Sequence, residues 1–292
     1  MGKEILFVLF ISICILIIEI IREQCIFKIT KYYIESPKLK GIQEKKIVFL
    51  SDLHNHCYGK NNERLLKAIK QSEPDIILVT GDMLIGKRKV AFDRAEMFMK
   101  ALPEMAPTYY ENGNHEQRMK ENTSKYGNSY IEYKKSLLQS GVVFLENERV
   151  ALKFDEKIIG IYGLEIPMRF YRKKRKHEFK RNTIEKLLPK SKKDDYTILL
   201  AHNPLHTSIY KAWGSDLSLS GHLHGGVVRL PIFGGLITPQ FRFFPKYSGG
   251  IYKEEETTVI VSKGLGMHTI PFRLFNYAEM IMLHIQGDEK LV

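Results

Sequence analysis

The fold is decided by residues 47–54, which read IVFLSDLH. The four apolar residues predict a short buried strand, and the polar residues after them predict a loop at its carboxyl end. The same arrangement returns four more times along the chain. The five polar clusters are SDLH at 51–54, TGD at 80–82, ENGNHE at 111–116, AHNP at 201–204 and SGHLHGG at 220–226. Because functional side chains collect beyond the carboxyl ends of strands in open α/β sheets, these clusters predict one site.

Short apolar runs alternate with helical segments from residue 46 onward. The predicted strands are Ile47–Leu50, Ile76–Thr80, Thr108–Tyr110, Ile158–Tyr162, Ile198–Ala201 and Leu217–Leu219. The predicted helices include Glu63–Gln71, Phe92–Leu102 and Ile131–Gln139. Strands that alternate with helices predict a layered α/β (α+β) architecture in which a core sheet is flanked by helices.

The composition is that of a folded protein with a basic surface. Of the 292 residues, 44% are hydrophobic, which is enough to bury an ordinary core. The formal net charge of +12 predicts attraction to anionic lipid head groups, phosphorylated substrates or nucleic acid. No recognisable nucleic-acid-binding motif accompanies this charge, so no nucleic-acid partner is expected. The three cysteines are odd in number and lack metal-ligand spacing, so neither a disulfide framework nor a zinc knuckle is indicated.

The N-terminus predicts a single-pass membrane anchor. Ile5–Ile21 is apolar apart from Ser12 and Glu19, and a helix of this length spans about 25 Å, slightly less than a bilayer core of about 30 Å. No A-x-A-like cleavage site follows, so an uncleaved anchor is predicted and not a signal peptide. A buried core helix is the alternative. More Lys and Arg residues follow the span than precede it, which favours the cytoplasmic face for the rest of the chain.

The chain is therefore predicted to have three parts. Residues 1–21 form the transmembrane anchor. Residues 22–45 are polar and Lys-rich, and they are predicted to form a juxtamembrane linker. Residues 46–292 form the folded domain.

The polar clusters supply groups that bind metal ions. The candidates are Asp52, His54, Asp82, Asn114, His115, His202, His222 and His224. The Asp-x-His and His-x-His pairs are expected on extended segments, where both side chains point to the same side and offer two ligands to one centre. Carboxylates and imidazoles without cysteine suit manganese, iron or zinc better than calcium. Eight groups are too many for one ion, whereas two ions that share one carboxylate satisfy the count.

In these five blocks the sequence resembles the calcineurin-like metallophosphoesterases. The resemblance implies a β-sandwich flanked by helices, with a site for two divalent metal ions at one end and phosphoester hydrolysis as the activity. Manganese is the expected metal, with iron or zinc as alternatives. The resemblance also implies that Asp52, His54 and His224 hold one metal, that Asn114, His202 and His222 hold the other, and that Asp82 bridges them. His115 is implied to be the general acid for the leaving oxygen and not a ligand.

The likeness extends to a branch of phosphohydrolases with N-terminal membrane or export segments, related to the UDP-2,3-diacylglucosamine pyrophosphohydrolases. It includes Leu230–Pro239, Tyr247–Tyr252 and Val261–Gly266, so that it covers nearly the whole domain. One departure is Val227, which stands where the branch commonly has Gln. This difference concerns substrate contacts and not the metal site.

Two further segments bear on the substrate. A basic run such as Arg169–Arg181 is typical of contact with an anionic membrane surface or with nucleic acid, and the predicted anchor favours the membrane; a solvated helix face is the alternative. The aromatic segment Ile232–Phe244 predicts a loop that cradles an acyl chain or touches the bilayer, with ordinary core as the alternative. Arg242 and Arg273 are predicted to contact the substrate. With the anchor, these features predict a lipid-linked phosphodiester or diphosphate; the alternatives are soluble nucleotides, or a non-catalytic membrane-bound binding protein.

Overall fold

The computed structural model describes residues 2–88, 90–171, 178–230, 234–238, 243–267 and 273–288. The helices within these residues are α1 Gly2–Cys25, α2 Glu63–Gln71, α3 Asp93–Ala101, α4 Asn114–Glu121, α5 Thr123–Tyr126, α6 Ser129–Gln139, α7 Arg181–Leu187 and α8 Thr207–Trp213. The strands are β1 Phe27–Ser36, β2 Lys45–Leu50, β3 Ile76–Val79, β4 Thr108–Tyr110, β5 Val143–Phe144, β6 Glu148–Phe154, β7 Lys157–Gly163, β8 Tyr196–Leu200, β9 Leu217–Ser220, β10 Val228–Leu230, β11 Gly234–Ile237, β12 Gly250–Glu254, β13 Thr257–Val261 and β14 Ala278–Gly287.

Two six-stranded sheets form the centre of the molecule. Their strand orders are β1-β14-β2-β3-β4-β5 and β12-β13-β9-β8-β7-β6, and β10 pairs with β11 in a separate two-stranded sheet. Strands β2, β3, β4 and β5 run parallel in the first sheet, and β7, β8, β9 and β13 run parallel in the second. The loops that carry the polar clusters therefore leave each sheet at its carboxyl-terminal edge.

The two sheets pack face to face with helices outside. Ile47 and Phe49 of β2 face the core between the sheets, whereas Val48 and Leu50 face the helices, as the two-residue period of a strand requires. Helices α2, α3 and α6 cover the first sheet, and α7 and α8 cover the second. This arrangement confirms the predicted layered architecture of sheets flanked by helices.

The segment predicted as a linker is largely a strand. β1 pairs in parallel with β14 over ten consecutive residue pairs, from Phe27 with Ala278 to Ser36 with Gly287. Its outward positions include lysines, and most of the strand is exposed or half-buried because it lies at the sheet edge. Lysines commonly protect edge strands against pairing with other chains. Here they make the composition of the strand resemble that of a polar linker. The predicted linker over residues 22–45 is therefore corrected: the sheet begins at Phe27.

Helix α1 extends beyond the predicted anchor. It runs to Cys25 and not to Ile21, and its 24 residues correspond to about 36 Å, which exceeds a hydrocarbon core of about 30 Å. Within the described residues it is the one helix that is long and apolar enough to cross a membrane. The side chains of its apolar stretch are exposed in the structure, so the alternative of a buried core helix is not supported.

Candidate metal centre

Five loops bring the predicted ligands together at one end of the sandwich. They follow β2, β3, β4, β8 and β9. Three groups of side chains have ligand atoms that all lie within 4.8 Å of one another. The groups are Asp52 with His54 and His224, His54 with Asp82 and His115, and Asp82 with His202 and His222. His54 and Asp82 each belong to two groups, so the cluster is continuous.

The distances within this cluster match those between ligands of a shared ion. Nε2 of His224 lies 3.1 Å from Nε2 of His54 and 3.3 Å from Oδ1 of Asp52. Oδ2 of Asp82 lies 3.1 Å from Nε2 of His202 and 3.8 Å from Nε2 of His54. Two atoms that each bind one ion at about 2.0–2.2 Å stand roughly 3–3.5 Å apart. Asp82 belongs both to the group with His54 and His115 and to the group with His202 and His222. Its carboxylate therefore lies between the two sets of ligand atoms that these groups form.

Five of the grouped residues have a left-handed backbone. The φ angles are 54° for Asp52, 48° for His54, 51° for Asp82, 72° for His222 and 53° for His224. The expectation that the Asp-x-His and His-x-His pairs lie on extended segments is therefore wrong, because both pairs lie in bends and turns beyond the strands. Such conformations cost about 1–3 kcal/mol each for residues other than glycine, and they cluster where a site must hold its side chains in place.

Two glycines allow the loops to approach one another. A Cβ atom on Gly81, where φ is +65°, would lie 1.8 Å from the backbone nitrogen of Gly113. A Cβ atom on Gly221 would lie 2.1 Å from Oδ2 of Asp52. Any larger residue at either position would push the ligand loops apart, so these glycines are part of the construction of the centre.

The orientation of the imidazoles leaves Nε2 of His202 pointing into the centre. Its Nδ1 donates a hydrogen bond to the carbonyl oxygen of Thr80 at 2.6 Å, so in the neutral ring Nε2 carries the lone pair that faces Asp82. A lone pair and a carboxylate 3.1 Å apart repel each other unless a cation or a proton lies between them. Oδ1 of Asn114 is also buried and has no hydrogen-bond partner within the described part of the chain. These donors fit divalent cations.

His115 is held in one tautomer. The backbone N–H of Gly86 donates to Nδ1 of His115 at 2.7 Å, so the proton of the neutral ring is on Nε2. That nitrogen lies 3.9 Å from Oδ2 of Asp82, at the rim of the ligand cluster. His115 therefore presents an N–H donor to the centre, which distinguishes it from His202.

The carboxylates and imidazoles of the cluster shift one another's pKa values. Burial raises the pKa of Asp82, but the imidazoles of His202 and His115 outweigh burial and hold that pKa well below its usual range. Burial lowers the pKa of His202, but the carboxylates of Asp82 and Asp52 outweigh it and raise that pKa to about 10. At neutral pH, His202 without a metal therefore keeps a proton where a cation would bind.

Two buried glutamates at the centre were not assigned a role from the sequence. Glu116 accepts hydrogen bonds from the backbone N–H groups of Asp82 and Met83 and from the hydroxyl of Tyr110, at 2.8, 3.0 and 2.8 Å. Glu111 is fully buried, and burial raises the pKa of its carboxyl group well above the usual range. Both lie in the cluster at 111–116, but a sequence does not show which polar residues of a loop turn inward.

The predicted substrate contacts are less well supported than the metal ligands. Arg273 is only 3% exposed, and its guanidinium donates to the carbonyl oxygens of Gly264 and Gly266 at 3.2 and 2.6 Å. These contacts commit both terminal nitrogens of Arg273 to the main chain, and its contact with substrate stays a prediction. Arg242 lies outside the described residues. The same holds for positions 172–177 of the basic run and for positions 232–233 and 239–242 of the aromatic segment.

Residues 45–228, which include all five loops, match the family model described as calcineurin-like phosphoesterase. The chain belongs to this family. It is therefore a metal-dependent phosphoester hydrolase, as the resemblance of the five blocks implied. The Asp and His clusters fit the dinuclear metal site expected of the family.

Several relatives are similar to this hydrolase over most of its length. It is 27% identical to the metallophosphoesterase YkuE of Bacillus subtilis, over 85% of this chain and 81% of that protein. It is 29% identical to a metallophosphoesterase of Aquifex aeolicus, over 91% of this chain and 94% of that protein. It is 30% identical to a transmembrane protein with metallophosphoesterase domain of Bos taurus, over 83% of this chain and 53% of that protein. The apolar α1 and this last relative together suggest a single-pass membrane protein.

Proposed function

We propose that this hydrolase cleaves a phosphodiester or diphosphate bond in a lipid-linked substrate at the membrane, as a UDP-2,3-diacylglucosamine pyrophosphohydrolase does. The observation that supports a substrate at the membrane is the contact of the end of α1 with α2 and with the loop after β2, which carries the predicted ligands Asp52 and His54. Nε2 of His56 lies 2.9 Å from the carbonyl oxygen of Gln24, and Arg64 donates to the carbonyl oxygen of Cys25 at 3.0 Å. His56 follows the predicted ligand His54 by two residues.

Exposed aromatic residues support the same location. Phe243, Phe244 and Phe275 are 70%, 61% and 51% exposed. Phe275 directly precedes Asn276, whose backbone N–H donates to Glu23 in the last turn of α1 at 3.1 Å. Phe275 therefore lies next to the end of α1, and an exposed aromatic residue beside a membrane-crossing helix is suited to the head-group region of a bilayer. The net charge of +12 favours an anionic bilayer surface, and we propose the cytoplasmic face from the basic residues that follow the apolar stretch.

The proposed roles of the side chains follow their grouping. Asp52, His54 and His224 hold one divalent cation, Asn114, His202 and His222 hold the other, and Asp82 contacts both. The pair of cations, which we propose to be manganese, supplies an acidified water molecule and charge to stabilise the phosphoryl oxygens. The shared carboxylate and the left-handed ligand residues fix the spacing of the two sites.

His115 acts on the leaving oxygen in this proposal. The Gly86 N–H occupies Nδ1, so Nε2 carries the hydrogen that faces the centre. A fixed N–H donor at this place stabilises negative charge that develops on the leaving oxygen. Transfer of the proton itself is the general-acid role that the resemblance implies.

The test uses the full chain, purified in detergent and loaded with manganese, iron or zinc in separate samples. Turnover is measured on UDP-diacylglucosamine in mixed micelles, on its deacylated counterpart and on small nucleotide phosphodiesters. We expect kcat/KM for the acylated substrate to exceed that for the deacylated one by at least about tenfold, because burial of each acyl CH₂ contributes about 0.8 kcal/mol.

The matched control is the Asp82→Asn variant, which keeps the size of the side chain and removes its charge. It should lose turnover on every substrate. Equal or greater kcat/KM for the soluble nucleotides would replace the lipid-linked substrate by a soluble one. Binding of the acylated substrate without any turnover, with two metals present, would favour the non-catalytic binding protein.

A further inference from the structure

We propose that the last turn of α1 is a positioning element of the metal centre, which acts through Glu23 and Asn276 on the predicted ligand His224. The proposal rests on the metal site described under the proposed function, and it does not depend on the identity of the substrate. It assigns to the apolar helix a task beyond attachment to a membrane.

Glu23 differs from every other described residue of α1. It is 1% exposed, and it is the one fully buried residue of the helix within the described residues. Its Oε2 atom accepts a hydrogen bond from the backbone N–H of Asn276 at 3.1 Å. Burial of a carboxylate next to a membrane-crossing segment costs free energy, and such residues usually have a function. We therefore infer a function for the buried contact of Glu23.

Asn276 connects Glu23 to the loop that carries His224. It is fully buried, and its Nδ2 donates to the carbonyl oxygen of His224 at 2.7 Å and to that of Gly226. A Cβ atom on Gly225 would lie 2.3 Å from Oδ1 of Asn276, so the side chain of Asn276 fits closely against the turn. Two residues of the turn after β9 are therefore held by one asparagine, whose own main-chain N–H is held by Glu23.

The ring of His224 is fixed by the same network. Its Nδ1 lies 3.3 Å from the carbonyl oxygen of Gly266, which also accepts from Arg273 at 2.6 Å. Arg273 in turn donates to the carbonyl oxygen of Asn276 at 3.4 Å. The left-handed φ of 53° at His224 requires support from its surroundings, and these contacts provide it. Partners behind the ligands of a metal typically change its affinity by 10- to 100-fold.

The test compares variants of the full chain in detergent. Glu23→Ala removes the acceptor of the Asn276 N–H, whereas Glu23→Gln keeps an amide oxygen that can accept it. Asn276→Ala removes the contacts to His224 and Gly226. The matched control is Glu19→Gln, one turn earlier on the same helix, where the carboxylate pairs with Arg22 and accepts from the hydroxyl of Tyr277 but does not accept the N–H of Asn276.

The readouts are the stoichiometry and affinity of Mn²⁺ binding, the melting temperature of the metal-free protein, and kcat and KM for a small soluble phosphodiester. We expect Mn²⁺ affinity to fall 10- to 100-fold in Glu23→Ala and in Asn276→Ala. We expect Glu23→Gln and Glu19→Gln to stay within about threefold of the parent protein. The double variant Glu23→Ala/Asn276→Ala should lose no more affinity than Asn276→Ala alone, because the two residues act in series.

Parent-like Mn²⁺ affinity in Glu23→Ala would overturn the proposal, as would an equal loss in Glu23→Ala and Glu19→Gln. If Glu23→Ala does not fold, Glu23→Asp replaces it, since Asp keeps the charge but shortens the reach to Asn276. Wild-type affinity in Glu23→Asp then overturns the proposal, and a 10- to 100-fold loss supports it. Absence of turnover on every lipid substrate would contradict the proposed substrate but would leave these affinities to decide the present inference.

Discussion

The carboxylate of Glu116 receives the backbone N–H of Asp82 at 2.8 Å, and so it holds the main chain of the residue that lies between the two sets of ligand atoms. Asp82 in turn accepts the backbone N–H of His115 through Oδ1 at 2.7 Å. The loop after β3 and the start of α4 are thus joined by reciprocal contacts. This arrangement explains how Asp82 can keep a left-handed backbone in the centre.

We predict that Glu116→Ala destabilises the protein and weakens the metal centre. The substitution leaves the buried N–H groups of Asp82 and Met83 without their acceptor, at about 1–3 kcal/mol for each group. The free energy of unfolding of the metal-free protein, measured with urea, should fall by about 2–5 kcal/mol. The surface control Glu104→Ala should change it by less than about 0.5 kcal/mol. An unchanged unfolding free energy in Glu116→Ala would contradict this prediction.

Asp82→Ala should abolish hydrolysis and lower the metal content below two ions per chain. In the proposed site, removal of this carboxylate would withdraw a ligand from both ions at once. Metal content is measured by elemental analysis after gel filtration, together with turnover of a small phosphodiester. The control is Asp93→Ala, an exposed carboxylate at the start of α3. Two bound metals with normal turnover in Asp82→Ala would refute the shared-ligand assignment.

His115→Ala should behave differently from a ligand variant. We expect a loss in kcat of about 10²- to 10⁴-fold with both metals retained, since in the proposed mechanism Nε2 of His115 serves the leaving oxygen and does not bind an ion. Substrates with a better leaving group need less help and should lose less rate. Loss of a metal in this variant would instead place His115 among the ligands.

Metal affinity should rise with pH. In the metal-free protein the pKa of His202 is raised to about 10, above an ordinary value of about 6.5. The proton therefore stabilises the metal-free fold fully below about pH 6.5, and this contribution is lost as the pH rises towards 10. A metal must displace that proton, so Mn²⁺ affinity should increase by up to about tenfold per pH unit below 10.

This pH dependence is measured by calorimetric titration of the metal-free protein at several pH values. Two buffers with different ionisation enthalpies report the number of protons released. The control is His284→Gln, since His284 lies on β14 beside Glu44, away from the ligand cluster. Mn²⁺ affinity that does not vary with pH would show that His202 is already neutral before the metal binds.

The stability of a truncated chain should depend on whether the truncation keeps β1. A chain that begins at residue 46 lacks the strand that covers β14 over ten residue pairs, so an edge of the sheet becomes exposed. We expect this chain to aggregate or to melt at a lower temperature than a chain that begins at residue 27. Light scattering and thermal unfolding of both chains decide this prediction. Equal behaviour of the two chains would mean that β1 contributes nothing to the domain.

The sequence predicted the end of the sandwich at which the ligand loops meet, because each loop follows an apolar run that is recognisable as a strand. It did not predict the left-handed conformations of Asp52 and His224, since these depend on contacts between loops that are distant in the chain. The shared role of Glu23 and Asn276 was missed for the same reason, as 253 positions separate the two residues. The local sequence pattern predicts which segments are strands. It does not predict contacts between residues that come together only in the folded protein.

The edge strand was missed because its charged residues were given more weight than its strand-forming residues. The segment Phe27–Ser36 contains Phe, Ile, Thr and Tyr, which favour strands, but it also contains two lysines and a glutamate, which favour exposure to solvent. Its partner β14 has seven buried residues out of ten, and ten consecutive residue pairs with β14 make the segment a strand. Exposed charged residues are common in edge strands, and here they made a strand resemble a linker.

The short connection between α1 and β1 limits how far the folded domain can move from the end of the helix. Only Ile26 separates the last residue of the helix from the first residue of the sheet. In a bilayer crossed by α1, the domain cannot swing outward on a tether, and its catalytic end stays at one height above the lipid. The lipid-linked substrate proposed above would then reach the site by lateral diffusion in the plane of the membrane, and its phosphate would have to lie at that height. Under this proposal the single residue between helix and sheet restricts the depth at which a phosphate can be cleaved.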